Sequence, residues 1–379
     1  VSDGVPKILI VGSGPGALEA TLALSASEYL PNAEISLISP QTEFVYRPNL
    51  VMEPFGVVNI ARYSVGEIIA ADGVQQWLGT IDRIDAAAGK AWSPEDDEFE
   101  FDALIVATGT ASNVELPDPA VTFGTPGSMD HLKELVHEID AGAVRNVVFV
   151  APEGPRWSLP VYELATMTAE RAEHQANQQI AVAVVTPERG PLDIFGLANS
   201  EAIERLADEL GVIVHTNATV LDWDGRTMTL ANGAEYPVDR LFAMPRLSGI
   251  APSGLPQDEH GFLPVDEFQR VLDGDAPLPG IFAVGDVTNF PLKQGGLATE
   301  AADTAVDAIE VQFGSREASE PFPREIEAIL LTAGRRIPMR ARVDADGSKV
   351  IPIEDLTGPQ QKIRSRFLAD RLSQISPLL

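Results

Sequence analysis

The run Lys7-Ile8-Leu9-Ile10-Val11-Gly12-Ser13-Gly14-Pro15-Gly16-Ala17-Leu18-Glu19-Ala20 limits the fold more than any other stretch of this chain. An apolar strand, a glycine turn and a helix start follow one another directly, as in the G-x-G-x-x-G/A fingerprint of dinucleotide sites. Gly12 makes the tight turn, Gly14 lets the backbone approach a pyrophosphate, and Ala17 allows the helix to pack closely. The free N–H groups and the positive end of the helix dipole would then hold the phosphates. The pattern predicts a strand over 8–11, a helix over 17–30 and a strand over 35–39, which is a βαβ unit. A second unit follows, with a strand over 146–150, a helix over 159–173 and a strand over 180–186. Two such units without a short repeat imply an α/β chain of two Rossmann-like, doubly wound domains rather than a solenoid.

Composition narrows the function. The 379 residues exceed one ordinary core, and 45% apolar with 22% charged residues is a soluble globular composition. With 27 Lys+Arg against 56 Asp+Glu the net charge is −29, which opposes nucleic-acid binding. There is no cysteine, so a disulfide, a thiolate metal site and a cysteine nucleophile are all excluded from these residues. The histidines His131, His137, His174, His215 and His260 are scattered and form no metal constellation. No Gly-x-Ser-x-Gly elbow marks a hydrolase. The longest pure apolar run, 180–185, falls short of the ~18 to 20 residues a membrane span needs. Val1-Ser2-Asp3-Gly4 lacks the features of a signal peptide, so the expected location is cytoplasmic. The acidic stretch from Trp92 to Glu100 reads as a solvated hairpin.

Further segments bear on which nucleotide is bound. The acidic ribose ligand expected after the second strand is absent, and Ser39 stands there with only a hydroxyl to offer. Asp102-Ala103-Leu104-Ile105-Val106-Ala107-Thr108-Gly109 is a buried strand ending in small residues, and Ile281-Phe282-Ala283-Val284-Gly285-Asp286 is another ending in Gly-Asp. With these motifs in this order, residues 7 to 310 resemble the two-dinucleotide-domain FAD oxidoreductases, the pyridine-nucleotide-disulfide reductase superfamily. The resemblance implies that Gly12, Gly14, Pro15, Gly16 and Ala17 hold the FAD pyrophosphate. Ala107, Thr108 and Gly109 would line the crossover, and Gly285 and Asp286 would meet the ribityl end. After them, Pro291-Leu292-Lys293-Gln294-Gly295-Gly296 opens a helix to about 312. In the resembled proteins that helix points at the flavin pyrimidine edge, which makes Lys293, Gln294 and Gly296 candidates for tuning the flavin. The alternative is a plain helix cap with a solvated lysine. Tyr46 and Arg47, in the loop after the second strand, would line the ring or simply pack.

The Arg-Pro loop, the Lys-Gln helix start and the C-terminal tail look most like the sulfide:quinone oxidoreductase and type II NADH dehydrogenase branch. Without cysteines, neither disulfide reduction nor cysteine-dependent sulfide oxidation is open to the chain. The second unit departs from the family. In Val150-Ala151-Pro152-Glu153-Gly154-Pro155-Arg156-Trp157-Ser158 the prolines remove N–H donors and Glu153 adds charge, so NAD(P)H binding is doubtful. Glu163 echoes the glutamate of the family's V-E-L-A helix and is either a proton relay or a surface carboxylate. Arg156 and Trp157 either gate the flavin face or pack.

In the tail, 360–379, Ile363, Phe367, Leu368, Leu372 and Ile375 share one helical stripe among Lys362, Arg364, Arg366 and Arg371. Such a helix docks on the protein's own core, on a second copy in a homodimer, or peripherally on the inner face of a membrane. The expected organisation is an FAD domain over 1–112 and 247–316, a degenerate NAD(P)-type domain over 113–246, and a C-terminal segment over 317–379. The expected function is an FAD-dependent oxidoreductase with a noncovalent flavin, a small-molecule donor and an unidentified acceptor, a quinone being the candidate. A flavin-carrying binding or regulatory protein with a decayed donor site is the alternative.

Overall fold

Runs such as Lys7–Val11 and Ala103–Val106 are buried along almost their whole length, as in a parallel sheet covered on both faces. The first sheet runs Arg270–Asp273, Ala276–Ala283, Ala103–Val106, Lys7–Val11, Glu34–Ser39, Gln75–Leu78. Ile8 stands opposite both Ala103 and Ile35, and all neighbours are parallel except the first pair. Since Ala276–Ala283 joins from late in the chain, this sheet is discontinuous in sequence. The computed structural model describes residues 4–378 apart from 71–72, 115, 117–118, 176–179, 315, 333, 346, 348–349 and 354–361.

Helix Pro15–Ser25 packs on helix Gly295–Gln312 so tightly that a Cβ on Gly16 would lie 3.0 Å from the Ala298 carbonyl oxygen. The first helix stops at Ser25, short of the predicted 30. Beyond it, Ser27 Oγ accepts the N–H groups of Tyr29 (3.1 Å) and Leu30 (3.2 Å), giving the backbone a turn in place of the helix ladder.

The second sheet is wholly parallel, in the order Val121–Thr122, Arg240–Ala243, Asn146–Val150, Ala181–Val185, Val212–His215. Helices Ser128–Ala141, Leu159–His174 and Leu197–Glu209 accompany it. The outgoing Thr110–Asn113 and the returning Arg246–Gly249 pair antiparallel as a ribbon between the two sheets. The acidic hairpin forms from Lys90–Trp92 and Glu98–Glu100, joined by Arg83–Asp85 in a small meander.

An antiparallel sheet of Glu325–Leu331, Arg336–Val343 and Val350–Pro352 follows. The tail corrects the sequence expectation. Its helix is only Leu368–Gln374, because the preceding backbone groups bond to other elements: Tyr46 Oη accepts the Ile363 N–H (3.3 Å) and Thr299 Oγ1 donates to the Arg364 carbonyl (2.5 Å). Ile363, Leu368 and Leu372 are buried, and Phe367 and Ile375 pack against the main core, so the stripe docks on the protein itself. Gln360, Gln361 and Leu379 of the predicted tail lie outside the described residues. Among the described residues, no helix is long and apolar enough to cross a membrane.

Candidate active site

The glycine turn sits at the carboxyl edge of the first sheet. Gly12 has φ +126°, and a Cβ there would lie 2.2 Å from the Ala107 carbonyl oxygen, so the turn and the Ala107-Thr108-Gly109 segment touch through backbone. Gly14, the residue before helix Pro15–Ser25, is extended and has nothing within 4 Å of the Cβ position. Among the described residues no acceptor takes the N–H groups of Gly14, Gly16 or Ala17. Open ground in front of free N–H groups at a helix N-terminus fits a pyrophosphate. Gly109 (φ +77°) and Gly285 (φ +73°) close the same edge, Gly285 lying so near Ala298 that a Cβ would meet its methyl at 2.9 Å.

Ser39 braces the glycine turn. It is 1% exposed, with its Oγ 2.7 Å from Ser13 Oγ and 2.8 Å from Gln41 Oε1, so it ties the second strand to the glycine turn. Asp286, in the turn Gly285–Val287, has its carboxyl pushed up by burial, against the opposing charges of Lys293 and the exposed Arg47. Lys293 is not the solvated lysine of the alternative reading. It is 4% exposed, its Nζ donates to the Thr288 carbonyl (2.5 Å), and it lies 3.9 Å from the centre of the Phe262 ring. Burial pushes its ammonium down to about 8, with Asp286 and Asp258 pulling the other way. A desolvated ammonium needs such partners, so it turns back onto the Thr288 carbonyl and the Phe262 ring rather than standing solvated at the helix mouth.

Gln294 caps the helix instead: its Oε1 accepts the Leu297 N–H (2.9 Å) and its Nε2 donates to the Glu327 carbonyl (3.0 Å). The tail covers this helix start. A Cβ on Gly295 would lie 3.2 Å from Ile363 Cδ1, and one on Gly296 would lie 3.5 Å from the Arg364 nitrogen.

In the second unit the irregular turn is fastened down. Arg156 donates its N–H to the Pro291 carbonyl (3.1 Å) and accepts that of Lys293 (3.2 Å), while Glu153 accepts from Thr219 Oγ1 (3.0 Å). Trp157 packs edge-on against Phe195 with ring centres 6.0 Å apart. Arg156 and Trp157 therefore join the turn to neighbouring segments. The sequence reading missed Glu188, which stands just past strand Ala181–Val185, where a dinucleotide domain carries its ribose acid. Here its carboxylate is buried and accepts from Tyr162 Oη (2.6 Å) and Thr186 Oγ1 (3.0 Å), which turns it inward. The acidic residue at that strand end was the available signal.

Glu163 is no surface group. It is 1% exposed and accepts from Lys362 Nζ (2.5 Å) and the Leu331 N–H (2.8 Å); burial raises it to about 7 against the pull of Lys362. Lys362, also missed, comes from the tail, donates to the Pro48 carbonyl as well (3.0 Å), and has its ammonium pushed down by burial. It lines a cavity of about 620 Å³ together with Tyr46, Met52, Tyr63, Arg336 and Leu372. Among the described residues no group of His, Asp or Glu is arranged to hold a metal.

No curated protein sequence matches the chain. Its fold is similar to that of the sulfide:quinone oxidoreductase from the hyperthermophilic bacterium Aquifex aeolicus, at TM-score 0.76 and 16% identity over 88% of this chain and 87% of that one. It is also similar to NDH2 from Plasmodium falciparum in complex with NADH (TM-score 0.59, 18% identity, 76% of this chain and 66% of that one). A third similar structure is the NAD-dependent persulfide reductase from A. fulgidus (TM-score 0.61, 18% identity, 90% of this chain and 65% of that one). The family model described as pyridine nucleotide-disulphide oxidoreductase matches residues 6–149 and 163–309, well over half of the chain, which covers both sheets and the glycine turn. The chain belongs to the pyridine nucleotide-disulphide oxidoreductase family.

Proposed function

We propose that the chain is an FAD-dependent oxidoreductase whose flavin is held without a covalent bond and whose electrons pass to a small-molecule acceptor, a quinone. The observation that carries this reading is the open ground at Gly14, faced by N–H groups that have no acceptor among the described residues. Gly12, Gly14, Pro15, Gly16 and Ala17 would hold the pyrophosphate, with Asp286 at the ribityl end and Ala107, Thr108 and Gly109 along the crossover. Bound FAD supplies two-electron transfer through its ring. The protein's share is position, exclusion of water and proton supply. Glu163, raised to about 7, can hold or release a proton near neutrality, and Lys362 carries its charge to the cavity wall. Tyr46 and Tyr63 supply flat, half-apolar surface suited to a ring compound.

The neighbour named a sulfide:quinone oxidoreductase supports the quinone class. With no cysteine, this reading places the chain outside disulfide reduction and cysteine-dependent sulfide oxidation. The domain division 1–112 with 247–316, 113–246 and 317–379 goes with it. One observation favours the second reading, a flavin-carrying binding or regulatory protein: the turn at Arg156 is bonded to Pro291 and Lys293, and Glu188 is turned inward, which leaves a poor nicotinamide site. Anaerobic reduction by candidate donors, followed by addition of a short-chain quinone, separates the two. Repeated turnover supports the oxidoreductase; a flavin that no donor and acceptor pair turns over supports the binding protein.

A further inference from the structure

Glu19 has no part in the dinucleotide motif, although it stands in the helix that the motif opens. It is the one charged residue of Pro15–Ser25 and it is fully buried. A buried carboxylate needs donors to replace its lost hydration. They come from the far end of the chain: Oε1 accepts the N–H groups of Arg366 (2.6 Å) and Phe367 (2.8 Å), and Oε2 accepts that of Leu368 (2.7 Å). Helix Leu368–Gln374 has no side-chain cap from Phe367, the residue before it, so Glu19 supplies that cap from another domain. The same segment is pinned by Thr299 at Arg364 and by Tyr46 at Ile363, and it contributes Lys362, Ala369, Leu372 and Ser373 to the 620 Å³ cavity.

We infer that residues 362–373 are a strap forming one wall of the acceptor cavity, and that Glu19, which does not itself line the cavity, is the positioning residue that seats it. This rests on the reading of the cavity as the acceptor site. Three charge-assisted bonds converge on Glu19, whereas the other backbone anchors are single bonds to hydroxyl groups. Glu19→Gln keeps the shape but sets an amide N–H₂ among N–H donors, so at least one donor loses its partner.

The test uses the FAD-loaded protein. Amide hydrogen exchange of residues 366–368 is compared in wild type and Glu19→Gln, with Thr299→Val as a second variant that loosens the strap at another anchor. The flavin is then reduced with dithionite and its reoxidation followed against the concentration of a short-chain ubiquinone. Exchange at 366–368 should quicken about tenfold and the KM for quinone rise about tenfold, while the rate at saturating quinone and the flavin spectrum stay unchanged. Thr299→Val should move both readouts in the same direction and carries the test should Glu19→Gln not fold. Unchanged exchange, or quicker exchange with an unchanged KM, would overturn the inference. A wild-type flavin that quinone does not reoxidise defeats the acceptor reading instead, and the exchange data still decide whether Glu19 seats the strap.

Discussion

Replacing Lys362 with methionine removes the cation from the buried Glu163 carboxylate and leaves the side-chain length almost unchanged. Both partners are nearly inaccessible, with Nζ and Oε1 2.5 Å apart, so the cost is that of stranding a buried charge, about 3–5 kcal/mol. The cost should depend on pH in a defined direction. Glu163 is raised to about 7 in the folded protein, from an ordinary value of 4.5, so its contribution to stability is fully present below about 4.5 and is lost as pH rises through about 7. Without Lys362 the carboxyl titrates higher still. The deficit of Lys362→Met relative to wild type should therefore be large at pH ~8.5 and small at pH ~5.5, where the acid is neutral. Urea unfolding at both pH values measures it, and the double variant Glu163→Gln/Lys362→Met should recover most of the loss because no charge is left stranded. Equal deficits at the two pH values, or a double variant no more stable than the single one, would refute the reasoning.

Gly12→Ala should cost several kcal/mol and abolish FAD binding, since its Cβ would lie 2.2 Å from a carbonyl oxygen at φ +126°; urea unfolding and flavin absorbance check both effects. Lys293→Met deprives Asp286 of its buried cation and should weaken FAD binding about tenfold; because Nζ bonds the Thr288 carbonyl, the flavin potential should move little, as titration and spectroelectrochemistry will show. NADH and NADPH should reduce the flavin slowly in stopped-flow, given Pro152, Glu153, Pro155 and the inward-turned Glu188; rapid reduction at low NADH would show that the altered turn still binds nicotinamide.

Much of the fold was legible because its signals are local. Apolar runs bounded by turns located the strands at 8–11, 35–39, 103–106 and 281–286 of the first sheet and at 146–150 and 180–186 of the second, and glycine spacing located the turn at the carboxyl edge of the first sheet. What escaped depends on contacts between distant residues. Lys293 follows a strand end and precedes a helix, which suggests a helix-mouth cation, yet the Phe262 ring and the Thr288 carbonyl decide its direction. The stripe of the tail is helical by spacing, but Glu19, Tyr46 and Thr299 claim its backbone groups and shorten the helix to Leu368–Gln374. Glu163 was legible as the acid of the V-E-L-A-like helix, while its partner lies 199 residues away and leaves no local trace. Glu19 did leave one, a single charge in an otherwise neutral helix.

The central claim, that the glycine turn binds the pyrophosphate of FAD, is tested most directly by the visible spectrum of protein purified with added FAD, in wild type and in Gly14→Glu. Gly14 has ordinary extended backbone and nothing within 4 Å of its Cβ position, so a glutamate fits without clash and the variant should fold as wild type does. Its carboxylate would then occupy the ground in front of the N–H groups of Gly14, Gly16 and Ala17 and repel phosphate. Wild type should carry the flavin absorption bands and Gly14→Glu, equally folded by circular dichroism, should not. A folded Gly14→Glu protein as yellow as wild type would contradict the account.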